Sequence, residues 1–119
     1  MVDDDADDRH LAKFAFNRLN TSHSLEFLTG GQELIDYLKS VAKFPDLILL
    51  DLNMPGKNGF ETLTEIKSNP VLKNLKVIIF STSNSENDIA QAKKCGAENY
   101  FIKPSDLNKL IEIFRKIVS

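Results

Sequence analysis

Chemistry in this chain is concentrated at four places where an apolar stretch gives way to polar or charged residues. Asp3 and Asp4 follow Val2, Asp51 follows Leu50, Ser81 and Thr82 follow Phe80, and Lys103 with Pro104 follows Ile102. If the apolar stretches are parallel strands, these residues meet beyond the carboxyl ends, where open α/β sheets bind their ligands. Three carboxylates, a hydroxyl and an ammonium would then share one edge. Carboxylates so close raise one another's pKa unless a cation neutralises them. An all-oxygen donor set favours a hard ion, and Mg²⁺, held by a few carboxylates, waters and a phosphate oxygen, fits better than zinc. Lys103 adds a mobile positive point charge and Ser81 a hydrogen-bond donor. An ionised aspartate in such surroundings is equipped to act as the nucleophile in phosphoryl transfer, forming an acyl phosphate whose transferred oxygens the cations stabilise.

The elements that must position these residues are legible as an alternation. Residues 47–50 and 77–80 are apolar at consecutive positions, the pattern of strands buried on both faces. Residues 25–28 and 100–102 are weaker strand candidates, and Met1 with Val2 forms at most a stub. Helical spacing predicts five helices. Leu11, Phe14, Ala15 and Leu19 mark the first, Leu34, Ile35 and Leu38 the second, and Phe60, Leu63 and Ile66 the third, ended by Asn69 and Pro70. Ile89, Ala90 and Ala92 mark the fourth, stopped at Gly96. The last carries one apolar stripe of Leu107, Leu110, Ile111, Phe114, Ile117 and Val118, with Ser105 or Asp106 to cap it and Ile113 off the stripe, expected to be exposed. Strand and helix in alternation mean right-handed crossovers and a doubly wound parallel sheet with helices on both faces.

Composition narrows the function. The 119 residues carry 15 Lys plus Arg against 17 Asp plus Glu, a formal net charge of -2, which offers no basic surface for nucleic acid or anionic lipid. A lone cysteine, Cys95, excludes an internal disulfide framework and a cysteine-built zinc site, and suits a reducing, cytoplasmic setting. Apolar runs of four or five residues are far short of a membrane span. One small domain over residues 1–119 is expected, with no output domain beside it.

Four motifs in this order carry a resemblance to a known family: V-D-D-D at 2–5, L-L-D-L-N-M-P-G-K-N-G at 49–59, F-S-T at 80–82 and Y-F-I-K-P at 100–104. Together they resemble the receiver domain of two-component response regulators, a CheY-like, flavodoxin-like fold with a five-stranded parallel sheet in the order 2-1-3-4-5. The resemblance implies that Asp51 accepts a phosphoryl group from a histidine kinase. It implies that Asp4 binds Mg²⁺ directly, Asp3 through water, and Asn53 through its backbone carbonyl. Ser81 takes the place of the switch hydroxyl, Lys103 of the phosphoryl-bridging lysine, and Tyr100 of the switch aromatic, with a cis Lys103–Pro104 peptide. Phosphorylation would reshape the face of the fourth helix, last strand and last helix, to be read by a downstream protein, a phosphorelay partner or a second copy as a homodimer. Ala6 in place of a common proline and Thr82 in place of a smaller residue depart from the pattern.

Two other function classes fit less well. An aspartyl-phosphate phosphohydrolase acting on small phosphates would need an acid-base carboxylate two residues after its nucleophile, where this chain has Asn53. A flavin carrier of the same architecture would need a phosphate-cradling loop after the first strand, where Asp3, Asp4, Asp5, Asp7 and Asp8 would repel the cofactor. Asp7 and Asp8 read most simply as solvated carboxylates favouring a helix N-terminus, with Asp5 open between the two roles. Asn58 and Gly59 read as turn chemistry, Met54 and Pro55 as a rigid loop, His10 and His23 as surface residues, and Cys95 as packing.

The start of the chain conflicts with the rest. An inner strand ordinarily has about five residues, yet only Met1 and Val2 precede the acidic pair. Three or four missing aliphatic side chains at roughly 1.5 to 3 kcal/mol each would remove on the order of 5 to 12 kcal/mol, comparable to the whole stability of a small domain. The expectation is therefore a truncated or misassigned start, with repair of the sheet by another chain as the second choice.

Overall fold

A computed structural model describes residues 1–118. In chain order it contains α1 (Ala6–Phe16), α2 (Gly31–Ser40), β1 (Ile48–Leu50), α3 (Gly59–Ser68), β2 (Val77–Ser81), α4 (Glu86–Lys94), β3 (Asn99–Ile102) and α5 (Leu107–Val118). The strands form a parallel sheet in the order β1-β2-β3, with Leu49 opposite Ile78 and Phe80 opposite Phe101.

The sheet extends beyond β1 by single residues. Val2 forms parallel bridges to Leu50 on one side and to Leu28 on the other. Its N–H donates to the Leu49 carbonyl at 2.7 Å, and the Leu28 N–H donates to the Met1 carbonyl at 2.9 Å. The lateral order Leu28, Val2, β1, β2, β3 is thus the expected 2-1-3-4-5 order, with its first two members reduced to one bridged residue each. Glu26 interrupts the apolar run of 25–28, and Met1 and Val2 contribute the Val2 bridges. Upstream of the Val2 bridge lies a cavity of about 810 Å³, lined by Leu25, Leu28, Leu47, Leu49, Phe16 and Phe114 among others.

Alternation along the strands divides the core. Ile48, Leu50, Val77 and Ile79 pack on one face with Leu34, Ile35, Leu38, Leu63, Ile66 and Ala92 of α2, α3 and α4. Leu49, Ile78 and Phe80 pack on the other with Ala12, Ala15, Leu110 and Phe114 of α1 and α5. Every residue of β1 and β2 is buried, as expected of strands covered on both sides, whereas β3 is an edge.

Two helical faces differ from the sequence expectation. On α1 the buried residues are Ala12 and Ala15, while Leu11 and Phe14 are exposed and Leu19 lies past the helix end. Small residues let the middle of α1 approach α5 and the sheet closely, so Leu11 and Phe14 turn outward, while Phe16 at the helix end packs edge-on against Phe114. Ile113 on α5 is half-buried against the α1 and α5 core rather than exposed. The caps follow the sequence. Asp5 caps α1 by accepting from the N–H groups of Asp7 and Asp8, and Asn58 forms a capping box with Glu61. At the start of α5, Asp106 accepts from the Asn108 N–H at 2.7 Å. His10 and His23 are exposed, and Cys95 is half-buried at the end of α4.

Candidate functional site

All three parallel strands and the Val2 bridge end on one edge, and the residues that follow them converge there. Asp3 is held by two backbone anchors: its N–H donates to Leu28 at 3.0 Å, and Arg9 Nη1 donates to its carbonyl at 2.8 Å. The Asp51 N–H donates to the Val2 carbonyl at 3.1 Å. Lys103 is tied to the end of β2 by its N–H, which donates to the Ser81 carbonyl at 2.8 Å.

The side chains meet around the Lys103 ammonium. Its Nζ lies 2.6 Å from Asp3 Oδ2, 2.9 Å from Asp8 Oδ2 and 3.3 Å from Asp51 Oδ2. An ammonium has three N–H donors, so these acceptors saturate it. Asp3 and Asp51 are buried, and the carboxylate oxygens of Asp3, Asp4 and Asp51 lie within 4.8 Å of one another. Burial pushes the Asp51 carboxyl above the ordinary carboxylate range; the Lys103 charge opposes that shift and the Asp3 charge adds to it. For Lys103, burial disfavours the ammonium, but hydrogen bonds to Asp3 and Asp8 and the charges of Asp51 and Asp3 outweigh it and hold the pKa above the usual lysine range. Three clustered carboxylates against one lysine leave negative charge in excess, and an oxygen-only set of this size fits a hard divalent cation.

Around this cluster Ser81 is fully buried at the end of β2, and its Oγ accepts from the Ser83 N–H at 3.2 Å. The Tyr100 hydroxyl donates to the Ser83 carbonyl at 2.8 Å, and Ser83 Oγ donates to Asp88 Oδ2 at 2.6 Å. Ser81, the 82–85 loop, α4 and Tyr100 are therefore linked through Ser83. Asn53 and Thr82 are exposed beside the cluster. Gly59, at the start of α3, packs against the backbone that carries Asp51, where a Cβ would lie 2.3 Å from the Asp51 carbonyl oxygen.

The sequence matches the family model of the response regulator receiver domain over residues 1–115. The chain belongs to that family. This receiver domain is 32% identical over 124 residues to the response regulator Rcp1 of a Synechocystis strain, covering 100% of this chain and 84% of Rcp1. The crystal structure of the phosphorylated cyanobacterial phytochrome response regulator RcpA superposes with a TM-score of 0.88 at 37% identity, covering 98% of this chain and 86% of that one. The Mn²⁺-bound form of Rcp1 superposes with a TM-score of 0.85 at 32% identity, over 98% of this chain and 87% of Rcp1. The receiver fold accounts for the sheet order and for the alternation of helices, and no described helix is long and apolar enough to cross a membrane.

Asp3, Asp4, Asp51, Ser81 and Lys103, singled out as strand-end residues, are brought to one edge of the receiver domain. Tyr100 reaches that edge through Ser83. Asp8, in sequence a solvated carboxylate of the helix terminus, instead accepts from the Lys103 ammonium. The sequence does carry a signal for it, because an acidic residue in the first turn of α1 follows Asp3 and Asp4 closely enough to face the same edge. The Lys103–Pro104 peptide is trans rather than cis, and the long lysine stem reaches the carboxylates from that geometry.

Proposed function

We propose that this receiver domain is a phosphorylation switch whose acceptor is Asp51, charged by a histidine kinase or a phosphotransfer protein in an Mg²⁺-dependent reaction in the cytoplasm. The observation that carries the reading is the Lys103 ammonium shared by Asp3 and Asp51, at 2.6 and 3.3 Å, beside a third carboxylate. In the transfer, an Asp51 carboxylate oxygen attacks phosphorus, the bond from phosphorus to the donor's imidazole nitrogen breaks, and an acyl phosphate forms. A bound Mg²⁺ supplies neutralisation of the carboxylates and of the transferred oxygens.

The metal-binding residues are Asp3, Asp4, Asp51 and the Asn53 backbone carbonyl. Both Asp3 carboxylate oxygens are engaged, one by Lys103 and one by the Asp5 N–H at 2.9 Å, which favours a role for Asp3 through water. Asp4 is exposed, and its carboxylate accepts no hydrogen bond among the described residues, which favours direct ligation. Lys103 donates to the phosphoryl group in place of the Asp51 carboxylate oxygen it now bonds. Ser81 turns its hydroxyl toward the phosphoryl oxygens, giving up the bond from Ser83. Since Tyr100 is tied to the same Ser83, that movement reaches Tyr100 and the face formed by α4, β3 and α5. Ile102 of β3 is 44% exposed on this face, and a downstream protein or a second copy of the chain is the reader.

The test is incubation with acetyl phosphate and Mg²⁺, followed by intact mass and mapping of the modified residue. One phosphoryl group at Asp51, absent from Asp51→Asn, is the expected result; equal labelling of the variant would sink the assignment. Lys103→Ala is expected to fold and to lose the coupling between phosphorylation and dimerisation or partner binding.

A further inference from the structure

The three acceptors of the Lys103 ammonium do different things. Asp3 and Asp51 belong to the strand ends, whereas Asp8 projects from the first turn of α1, and no step of the phosphoryl transfer described above uses it. Asp8 Oδ2 lies 2.9 Å from Nζ, and with Asp3 Oδ2 at 2.6 Å it draws the lysine to the α1 side of the site, leaving Asp51 Oδ2 as the most distant partner at 3.3 Å. The lysine side chain is 8% exposed and the Asp8 side chain 36%, so a largely desolvated ammonium is tethered by a carboxylate that water still reaches. With all three N–H donors in use, the lysine cannot approach an incoming phosphoryl oxygen without weakening one of these bonds. Asp8 also adds a full negative charge to an edge that already holds Asp3, Asp4 and Asp51 and must admit an anionic donor.

We propose that Asp8 is a positioning residue that holds Lys103 off the phosphoacceptor in the unmodified protein and so slows phosphorylation of Asp51. This rests on the reading of Asp51 as acceptor. Removing the Asp8 charge releases Lys103 toward Asp51 and toward the oxygens of the donor, where it stabilises charge as the new bond from Asp51 to phosphorus forms and the bond to the leaving group breaks. The tether joins a buried ammonium to a carboxylate that water reaches, so its effect is that of a partly solvated ion pair and sensitive to salt.

The experiment measures the rate of phosphorylation by acetyl phosphate with Mg²⁺ in the wild type, Asp8→Asn, Asp8→Ser and Asp8→Glu, at low and at high ionic strength. With this donor the bond from phosphorus to the acetyl oxygen breaks and acetate leaves. Asp8→Asn and Asp8→Ser are expected to react about three- to fivefold faster than the wild type at low salt, the size expected for losing one partly exposed ion pair. Asp8→Glu should restore the slow rate, and high salt should close most of the gap. A loss of helix stability alone would slow the labelling of Asp51 or leave it unchanged, and would not speed it. Asp8 variants that fold, label at Asp51 and react at the wild-type rate or more slowly overturn the inference and leave the acceptor assignment intact. A wild type that takes no label at Asp51 overturns both.

Discussion

The backbone N–H of Asp51 donates to the carbonyl of Val2 at 3.1 Å, so Asp51 and the acidic pair after Val2 are held in register by one bridged residue. Val2 is 2% exposed, and its side chain belongs to the core shared with Leu34 and Leu50. Val2→Ala removes two buried methyl-sized groups at about 0.8 kcal/mol each, with a cavity term added. The expected outcome is a loss of about 2 kcal/mol in chemical denaturation together with weaker Mg²⁺ binding by calorimetry. Weakened stability with unchanged Mg²⁺ affinity would show that the bridge does not position the site.

Gly59→Ala tests how tightly α3 is seated on the backbone of Asp51 and Leu52. A Cβ at Gly59 would lie 2.3 Å from the Asp51 carbonyl oxygen and 2.7 Å from Leu52 Cα, both backbone atoms that cannot rotate away. Overpacking of this kind costs about 1 to 3 kcal/mol. A lowered thermal midpoint and slower labelling of Asp51 are expected together, since relief of the clash shifts the Asp51 backbone.

The raised pKa of Asp51 makes a prediction about pH. Burial and the Asp3 charge favour the protonated form in the folded chain, so the folded state binds more protons than the unfolded one between the ordinary carboxylate pKa of about 3.9 and the raised value. Stability therefore falls as pH rises through that window, and Asp51→Asn removes the loss. Without Mg²⁺ at neutral pH, Asp51→Asn is expected to melt higher than the wild type by several degrees, ~1 kcal/mol being worth roughly 4 °C in a domain near this size. Saturating Mg²⁺ should narrow the difference, because the ion stabilises the wild-type carboxylate cluster more than the variant. Equal melting of the two proteins without metal would contradict the electrostatic account.

Much of this was legible in the sequence because fully buried strands and strand-end chemistry leave local marks. The runs before Asp51 and Ser81 read as covered strands and are buried throughout, and the acidic and basic residues at their ends do meet. What escaped were features set by packing between elements. The outward turn of Leu11 and Phe14 depends on how close α1 sits to α5, and helical spacing alone ranks alanine below leucine as a core residue. The Asp8 bond to Lys103 joins residues far apart in the chain, and the charge run that contains Asp8 has a sufficient local explanation as a helix terminus. The coupling of Ser81 to Tyr100 runs through the backbone of Ser83, which no residue-type pattern reports.

The cavity upstream of the Val2 bridge supports the last prediction. Among the described residues the sheet between Leu28 and β1 is bridged at Val2 alone, and about 810 Å³ lies open beyond it, with Leu25, Leu47 and Leu49 on its wall beside Lys43, Asp46 and Lys76. In this 119-residue chain the Met1 ammonium donates to the Glu26 carbonyl at 2.7 Å, and burial lowers its pKa to about 6 from 8.0. Between those values the unfolded chain binds more protons than the folded one, so stability rises with pH from about 6 to about 8. Adding five apolar, β-prone residues ahead of Met1 replaces the charged amine with a peptide N–H. It also offers both flanking segments a strand to pair with, and each aliphatic side chain that enters the slot contributes roughly 1.5 to 3 kcal/mol before the cost of ordering the added backbone. The extended protein is expected to melt several degrees higher, to lose the pH dependence between about 6 and 8, and to bind Mg²⁺ more tightly because Asp3 and Asp4 then follow a fixed strand. A Gly and Ser extension of equal length serves as the control, since it removes the amine charge without filling the slot. If both extensions raise the midpoint equally, relief of the buried charge is the whole effect and the slot does not take a strand. If only the apolar one does so and Mg²⁺ affinity rises with it, the slot takes a strand, and that pairing supports both the fold and Mg²⁺ binding.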